Sequence, residues 1–151
     1  MFQKRYLTGF ALVLALAGAW VAAAQPAKPA SLYKRLGGYD AIAAVTDDFI
    51  GRMVADKQLS RFFVVGHSED SLKHTRQLIV DQLCAATGGP CLYIGRDMKT
   101  SHRGLGITEA DWKAAVTLLV ASLDKFKVPQ KEKGELLGAA SSMKVDIVEK
   151  P

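Results

Sequence analysis

Apolar residues recur along the chain at helical intervals and almost nowhere alternate. Ile42, Val45, Phe49 and Met53 fall three or four apart, one stripe of a helix that starts at Asp40 and ends near Ala55. Leu72, Thr75, Ile79 and Leu83 repeat the spacing and stop at Gly88-Gly89-Pro90, where glycine frees the backbone and proline cannot continue a helix. Trp112, Val116, Leu119 and Leu123 mark a further helix, entered through Thr108-Glu-Ala-Asp111, in which a threonine and an aspartate three apart can exchange capping bonds. A last helix, opened by Pro129 in its first turn, buries Leu136, Leu137, Ala140, Met143 and Ile147. Shorter pieces fill the gaps. A turn over 32–36 is capped by Ser31 and stopped by Gly37-Gly38. A tight connector runs over 56–63, a loop over 66–70, an irregular stretch over 91–97, and a short helix over 98–103. The pattern predicts an all-α domain with three or four long helices and short ones between them.

The first residues are of another kind. Lys4 and Arg5 precede an apolar run from Tyr6 to Val21, and Ala22-Ala23-Ala24 then leads into Gln25-Pro26. A basic start, an apolar stretch and small residues at the break read as a signal peptide over 1–24, cleaved after Ala24. The run is short for a spanning anchor and no stop-transfer charges follow it. The expected organisation is a signal peptide 1–24, a linker 25–30, one globular domain 31–148 and a tail 149–151. The expected destination is the periplasm or beyond, with no stable membrane insertion after cleavage. Loss of Lys4 and Arg5 with this segment lowers the formal net charge from +5 to +3. The remaining basic residues are scattered, without an aromatic-interleaved stripe, which argues against a nucleic-acid partner.

Two features bear on chemistry. Cys84 and Cys91 flank Ala-Ala-Thr-Gly-Gly-Pro. In an oxidising compartment they can bridge across a helix end that turns back at Gly88; otherwise Cys84 is a small buried hydrophobe and Cys91 a loop thiol. His102, bracketed by Met98, Leu105 and Ile107, stands just before Gly104 and Gly106, with no cysteine, aspartate or second histidine beside it. Read alone it is a capping or surface histidine; as a metal ligand it suits a cofactor needing one protein bond, of which haem is the simplest. No Cys-x-x-Cys-His is present for covalent attachment. No nucleophile–base pair, phosphate loop or carboxylate dyad points to a hydrolase or kinase.

Four motifs, in order, resemble the truncated haemoglobins, most closely group I: Leu36-Gly37-Gly38; the connector from Asp56 to Phe62-Phe63; Thr87-Gly88-Gly89-Pro90 followed by Tyr93-Ile-Gly95; and Met98-Lys99 with His102 and Gly106-Ile107-Thr108. The resemblance covers Ser31 to Val148. It implies a two-over-two helical sandwich around one b-type haem, with His102 on the iron. The haem-contacting set it implies is Phe63, Thr75, Ile79, Leu83, Tyr93, Met98, Lys99, His102, Leu105, Ile107, Trp112 and Val116. Each apolar member of that set reads as ordinary core without the resemblance. Lys73, Arg76, Lys99 and Arg103 are the cations that could meet the propionates, or else solvated helix faces, and Tyr93 could pack or bond near a propionate.

The distal pocket implied by the resemblance comprises Phe49, Ile50, Thr75, Leu78, Ile79 and Gln82, and here the chain departs from the group's pattern. Where group I members place a tyrosine that donates to bound dioxygen stands Ile50. Thr75 and Ile79 are the best distal pair on the facing helix. Gln82 takes a donor role only if the register shifts, and His74 either approaches the iron or, as the stronger reading, lies on the solvent face. His67 is expected to be solvated. A mostly apolar pocket holds dioxygen less tightly and puts nitric-oxide dioxygenation in doubt. The implied function is reversible binding of O2, NO or CO at a His-ligated haem, in gas binding, transport, sensing or detoxification. The expectation adds weak nitric-oxide dioxygenase or peroxidase turnover beside this primary role. The alternative is a haem electron-transfer or peroxidase-like protein. An electron donor and a monomeric or weakly dimeric state complete the expectation.

Overall fold

The computed structural model describes residues 29–64 and 68–150. The expected signal peptide, most of the linker and His67 lie outside the described residues. Eight helices are present among them: α1 (Leu32–Arg35), α2 (Tyr39–Ala55), α3 (Arg61–Val64), α4 (Glu69–Ala86), α5 (Met98–His102), α6 (Glu109–Lys125), α7 (Gln130–Ser142) and α8 (Lys144–Ile147). The all-α expectation holds, with one isolated parallel bridge, Thr108 to Lys150, as the extended pairing among the described residues.

Local chemistry sets the helix starts. Ser31 and Ser68 accept from the backbone N–H three residues on, and Asp97 does the same for Thr100. At α6, Thr108 and Asp111 form the reciprocal capping box. The end of α4 depends on glycine for a steric reason. A Cβ on Gly89 would lie 2.5 Å from the Tyr33 ring and 2.8 Å from the Cys84 carbonyl, so the chain passes α1 only without a side chain.

α2 packs on both α4 and α6, and α7 packs on α6 and α1, giving two helix pairs stacked across α2 in the expected two-over-two arrangement. Val45, Leu119, Leu123 and Leu136 form one core cluster, joined by Phe49 and Leu83. Ile42, Val80 and Cys84 form a second, against Tyr33, Leu36 and again Leu83. Ion pairs stitch the layers. Asp48 on α2 accepts from Ser122 and Lys125 on α6, and Arg76 on α4 grips Asp47 on α2 through two bonds at 2.6 and 2.9 Å. Arg35 joins α1 to Glu132 and Glu135 on α7.

Three local expectations are corrected. The 56–63 connector contains a helical turn, α3, wound after Asp56 caps Gln58 and Leu59. Pro129 is extended and precedes α7 rather than opening it. The last helix breaks at Met143, where the Ser142 hydroxyl donates to the Ala139 carbonyl and competes with the backbone ladder.

Candidate functional site

His102 is the last residue of α5 and is half-buried. Its Nδ1 lies 2.7 Å from the Met98 carbonyl oxygen. A carbonyl only accepts, so Nδ1 carries the proton, and the Nε2 lone pair is left available to a Lewis acid. Asp97 caps the other end of the same short helix, accepting from the Thr100 N–H at 2.8 Å and its hydroxyl at 2.9 Å. After His102 the chain turns through Gly104 and Gly106, both left-handed with φ of 82° and 66°. It then enters α6 at the Thr108 cap. Ile107 is buried beneath this turn. Leu105, implied by the resemblance as a proximal contact, lies between these two glycines and is 44% exposed.

The Phe62-Phe63 connector is fixed from α6. Asp111 is 2% exposed and accepts from Arg61 at 2.8 Å on both oxygens, from Gln58 at 2.8 Å, and from the Thr108 N–H and hydroxyl at 2.9 and 2.8 Å. Burial pushes this carboxyl up, but the bonds from Gln58 and Thr108 and the charge of Arg61 outweigh it and hold the pKa at about 2. The capping-box pattern announced Asp111 as a helix start and nothing more. Its grip on Arg61 spans fifty residues and left no local signal.

Ile50 on α2 and Thr75, Leu78 and Ile79 on α4 are half-buried, as are Trp112 and Val116 on α6. Phe49 and Leu83 pack into the core clusters. Gln82 donates to the Met143 sulfur at 3.5 Å, which commits its amide toward the α7–α8 junction. His74 is exposed. Of the cations, Lys73 pairs with Glu69 and Asp70, and Arg76 with Asp47. Lys99 and Arg103 are exposed and in no salt bridge among the described residues. The Tyr93 hydroxyl donates to the Arg96 carbonyl at 2.6 Å. Cys84 and Cys91 are joined by a disulfide with Cα atoms 5.7 Å apart, tying the end of α4 to the loop that leads into α5.

This arrangement fits a flat apolar cofactor. Both core clusters lie toward the α1 and α7 end, where large side chains are buried. Around the segment that carries His102, Phe63 beside the Asp111-bound connector, Met98 at the start of α5 and Trp112 at the start of α6 are large apolar side chains left half-buried, surface that a flat apolar group can cover. Among the described residues no group of three or more His, Cys, Asp or Glu gathers as a metal site. One imidazole nitrogen with its tautomer set is the donor this segment offers. No described helix is long and apolar enough to cross a membrane.

The comparisons with known proteins agree with the geometry. The profile of the family described as bacterial-like globin matches residues 31–149. The group 1 truncated hemoglobin GlbN of Mycolicibacterium paratuberculosis is 38% identical over 121 residues, covering 80% of this chain and 86% of the relative. A group 1 truncated hemoglobin of Chlamydomonas moewusii is 30% identical over 82% of this chain and 71% of its own. The 2/2 hemoglobin from Synechococcus sp. PCC 7002, solved in the cyanomet state with covalently attached heme, superposes with a TM-score of 0.71 at 28% identity, covering 79% of this chain and 98% of that one.

Proposed function

This chain belongs to the bacterial-like globins as a group 1 truncated haemoglobin with a haem cofactor, and from that premise we propose that it binds a diatomic gas reversibly at a haem that His102 would hold. When bound, haem supplies the iron at which the gas is held, together with four of the iron's donors. The observation that carries the reading is the His102 ring. Donation from Nδ1 to the Met98 carbonyl fixes tautomer and orientation, so Nε2 is presented as the single protein ligand. Phe63 and Met98 would supply apolar surface to the macrocycle, with Trp112 and Val116 of α6 adding to it. Lys99 and Arg103, exposed and in no salt bridge among the described residues, are the cations proposed for the propionates.

On the gas side Ile50 and Ile79 carry no side-chain polar atom, and Thr75 is the nearest hydroxyl in the α4 stripe. This favours NO and CO, whose retention depends little on a donor, over a firmly held O2, and it makes oxygen transport and nitric-oxide dioxygenation minor roles. The haem is expected to be held without a covalent bond. We place the protein in the periplasm or outside the cell: the basic-then-apolar start of the chain and the Cys84–Cys91 disulfide, which persists in oxidising surroundings, both support export. Absorption spectra of the purified protein test the proposal. One haem per chain is expected, five-coordinate when ferrous and taking up CO at once. A six-coordinate low-spin ferrous form that resists CO would move the reading to electron transfer.

A further inference from the structure

Resting on the reading of His102 as the iron ligand, we propose that Glu149 is a positioning residue for that ligand: a carboxylate strap that fixes the turn by which the chain leaves α5. One carboxylate oxygen accepts from the Gly104 N–H at 2.6 Å and the other from the Gly106 N–H at 2.6 Å. Both glycines are left-handed, which turns their N–H groups toward a common acceptor. Gly104 is only two residues beyond His102, so the anchored turn and the imidazole move together.

The strap is itself held. Glu149 and Lys150 both donate their backbone N–H to the Ile107 carbonyl, at 2.9 and 3.2 Å, and Glu109 donates to the Lys150 carbonyl at 3.2 Å. Thr108 and Lys150 form a parallel bridge, and α8 packs on α5. The carboxylate is therefore placed by backbone pairing to a buried residue. The Gly104 and Gly106 N–H groups, in that order, hold its acid below the ordinary glutamate range. At neutral pH a full negative charge stands beside the turn.

The mechanical consequence follows from the length of α5. Five residues make a helix too short to hold its own axis. Its start is fixed by Asp97 and its end by Glu149. With Glu149 gone, the two glycines, the least restricted residues in the segment, become a pivot, and the ring can tilt while its bond to Met98 stays intact. The charge adds a second effect: a carboxylate near the proximal imidazole favours the ferric over the ferrous state.

The test compares holoprotein with Glu149→Ala and Glu149→Gln. Glu149 is exposed, so both variants are expected to fold. In Glu149→Ala the Gly104 and Gly106 amides should exchange faster, and the iron–histidine stretching band of the ferrous form should shift and broaden. Haem should pass to excess apomyoglobin about tenfold faster, and the midpoint potential should move positive. Glu149→Gln keeps one acceptor oxygen without the charge. It should match Glu149→Ala in potential and fall between it and wild type in haem loss. Faster glycine exchange with an unchanged band, haem-loss rate and potential would reduce Glu149 to a tail anchor and overturn the proposal; so would unchanged exchange. His102→Ala separates the two failures: a haem spectrum unaltered in that variant defeats the ligand assignment itself, whatever Glu149 does.

Discussion

Between Asp97 and Asp111 the chain is tied by polar bonds: a helix cap, an imidazole–carbonyl bond, two glycine amides on one carboxylate, and a capping box closed by a buried acid. Across the site, the α2–α4 face around Ile50, Thr75 and Ile79 is shaped by packing between two long helices, tied at its margin by Arg76 and Asp47. The difference has consequences. Polar bonds are directional and short-ranged, so they place one atom, the His102 nitrogen, within tenths of an ångström. Apolar packing fixes shape and volume but aims no donor, so an exchanged side chain there changes what the pocket prefers without dismantling it. On the proposed reading, one side holds the cofactor and the other selects the ligand.

His102→Ala gives the largest expected effect. With no second donor gathered among the described residues, it should abolish stoichiometric haem binding, read from the Soret absorbance per chain. A variant that still bound one haem with an ordinary spectrum would erase the distinction between the two sides. Ile50→Tyr is next. Ile50 is half-buried, which leaves room for a larger side chain, and a phenol there would aim a donor at bound dioxygen. A hydrogen bond to a charged acceptor is worth about 1.5–3 kcal/mol, so O2 dissociation should slow roughly ten- to a hundredfold in stopped-flow measurements. Haem content should be unaltered. Unchanged kinetics would mean that Ile50 does not face the ligand and that the register of α2 against α4 has been misread.

The same contrast governs what could be read from the chain. Features that depend on neighbours three or four residues apart were legible: the stripe Ile42–Val45–Phe49–Met53, the cap at Thr108, the stop at Gly88-Gly89-Pro90, and the isolation of His102 before two glycines. Features that join distant segments were not. Arg61 reaches Asp111 over fifty residues, and Glu149 reaches Gly104 over forty-five. Neither pairing changes the local pattern of charged residues on a solvated helix or tail, so a strap at 149–150 looked like a chain end. The cysteines stood between: seven residues apart across a helix stop, they allowed a bridge, and the folded α4 end brings their Cα atoms within reach.

Asp111→Asn is the smallest of these effects and probes whether polar bonding also fixes the phenylalanine connector. Asparagine keeps the size of the side chain but loses the charge that Arg61 grips, and it turns one acceptor oxygen into a donor facing groups that also donate. Asp111 is buried, and the lost bonds belong partly to a helix cap, so stability should fall by about 2 kcal/mol in urea unfolding. The pH dependence identifies the cause. The Asp111 carboxyl titrates at about 2 in the fold, against an ordinary 3.8. Its contribution is therefore complete above pH ~4 and is lost as pH falls through about 2. The wild type should lose stability over that window and the variant should not lose that share, so the gap between them should close toward pH 2. A gap that stayed constant would assign the loss to altered packing, and the connector would then belong with the apolar side of the site. If the gap closes, amide exchange in Asp111→Asn should rise at Leu59 to Phe63, the connector that Gln58 and Arg61 tie to Asp111.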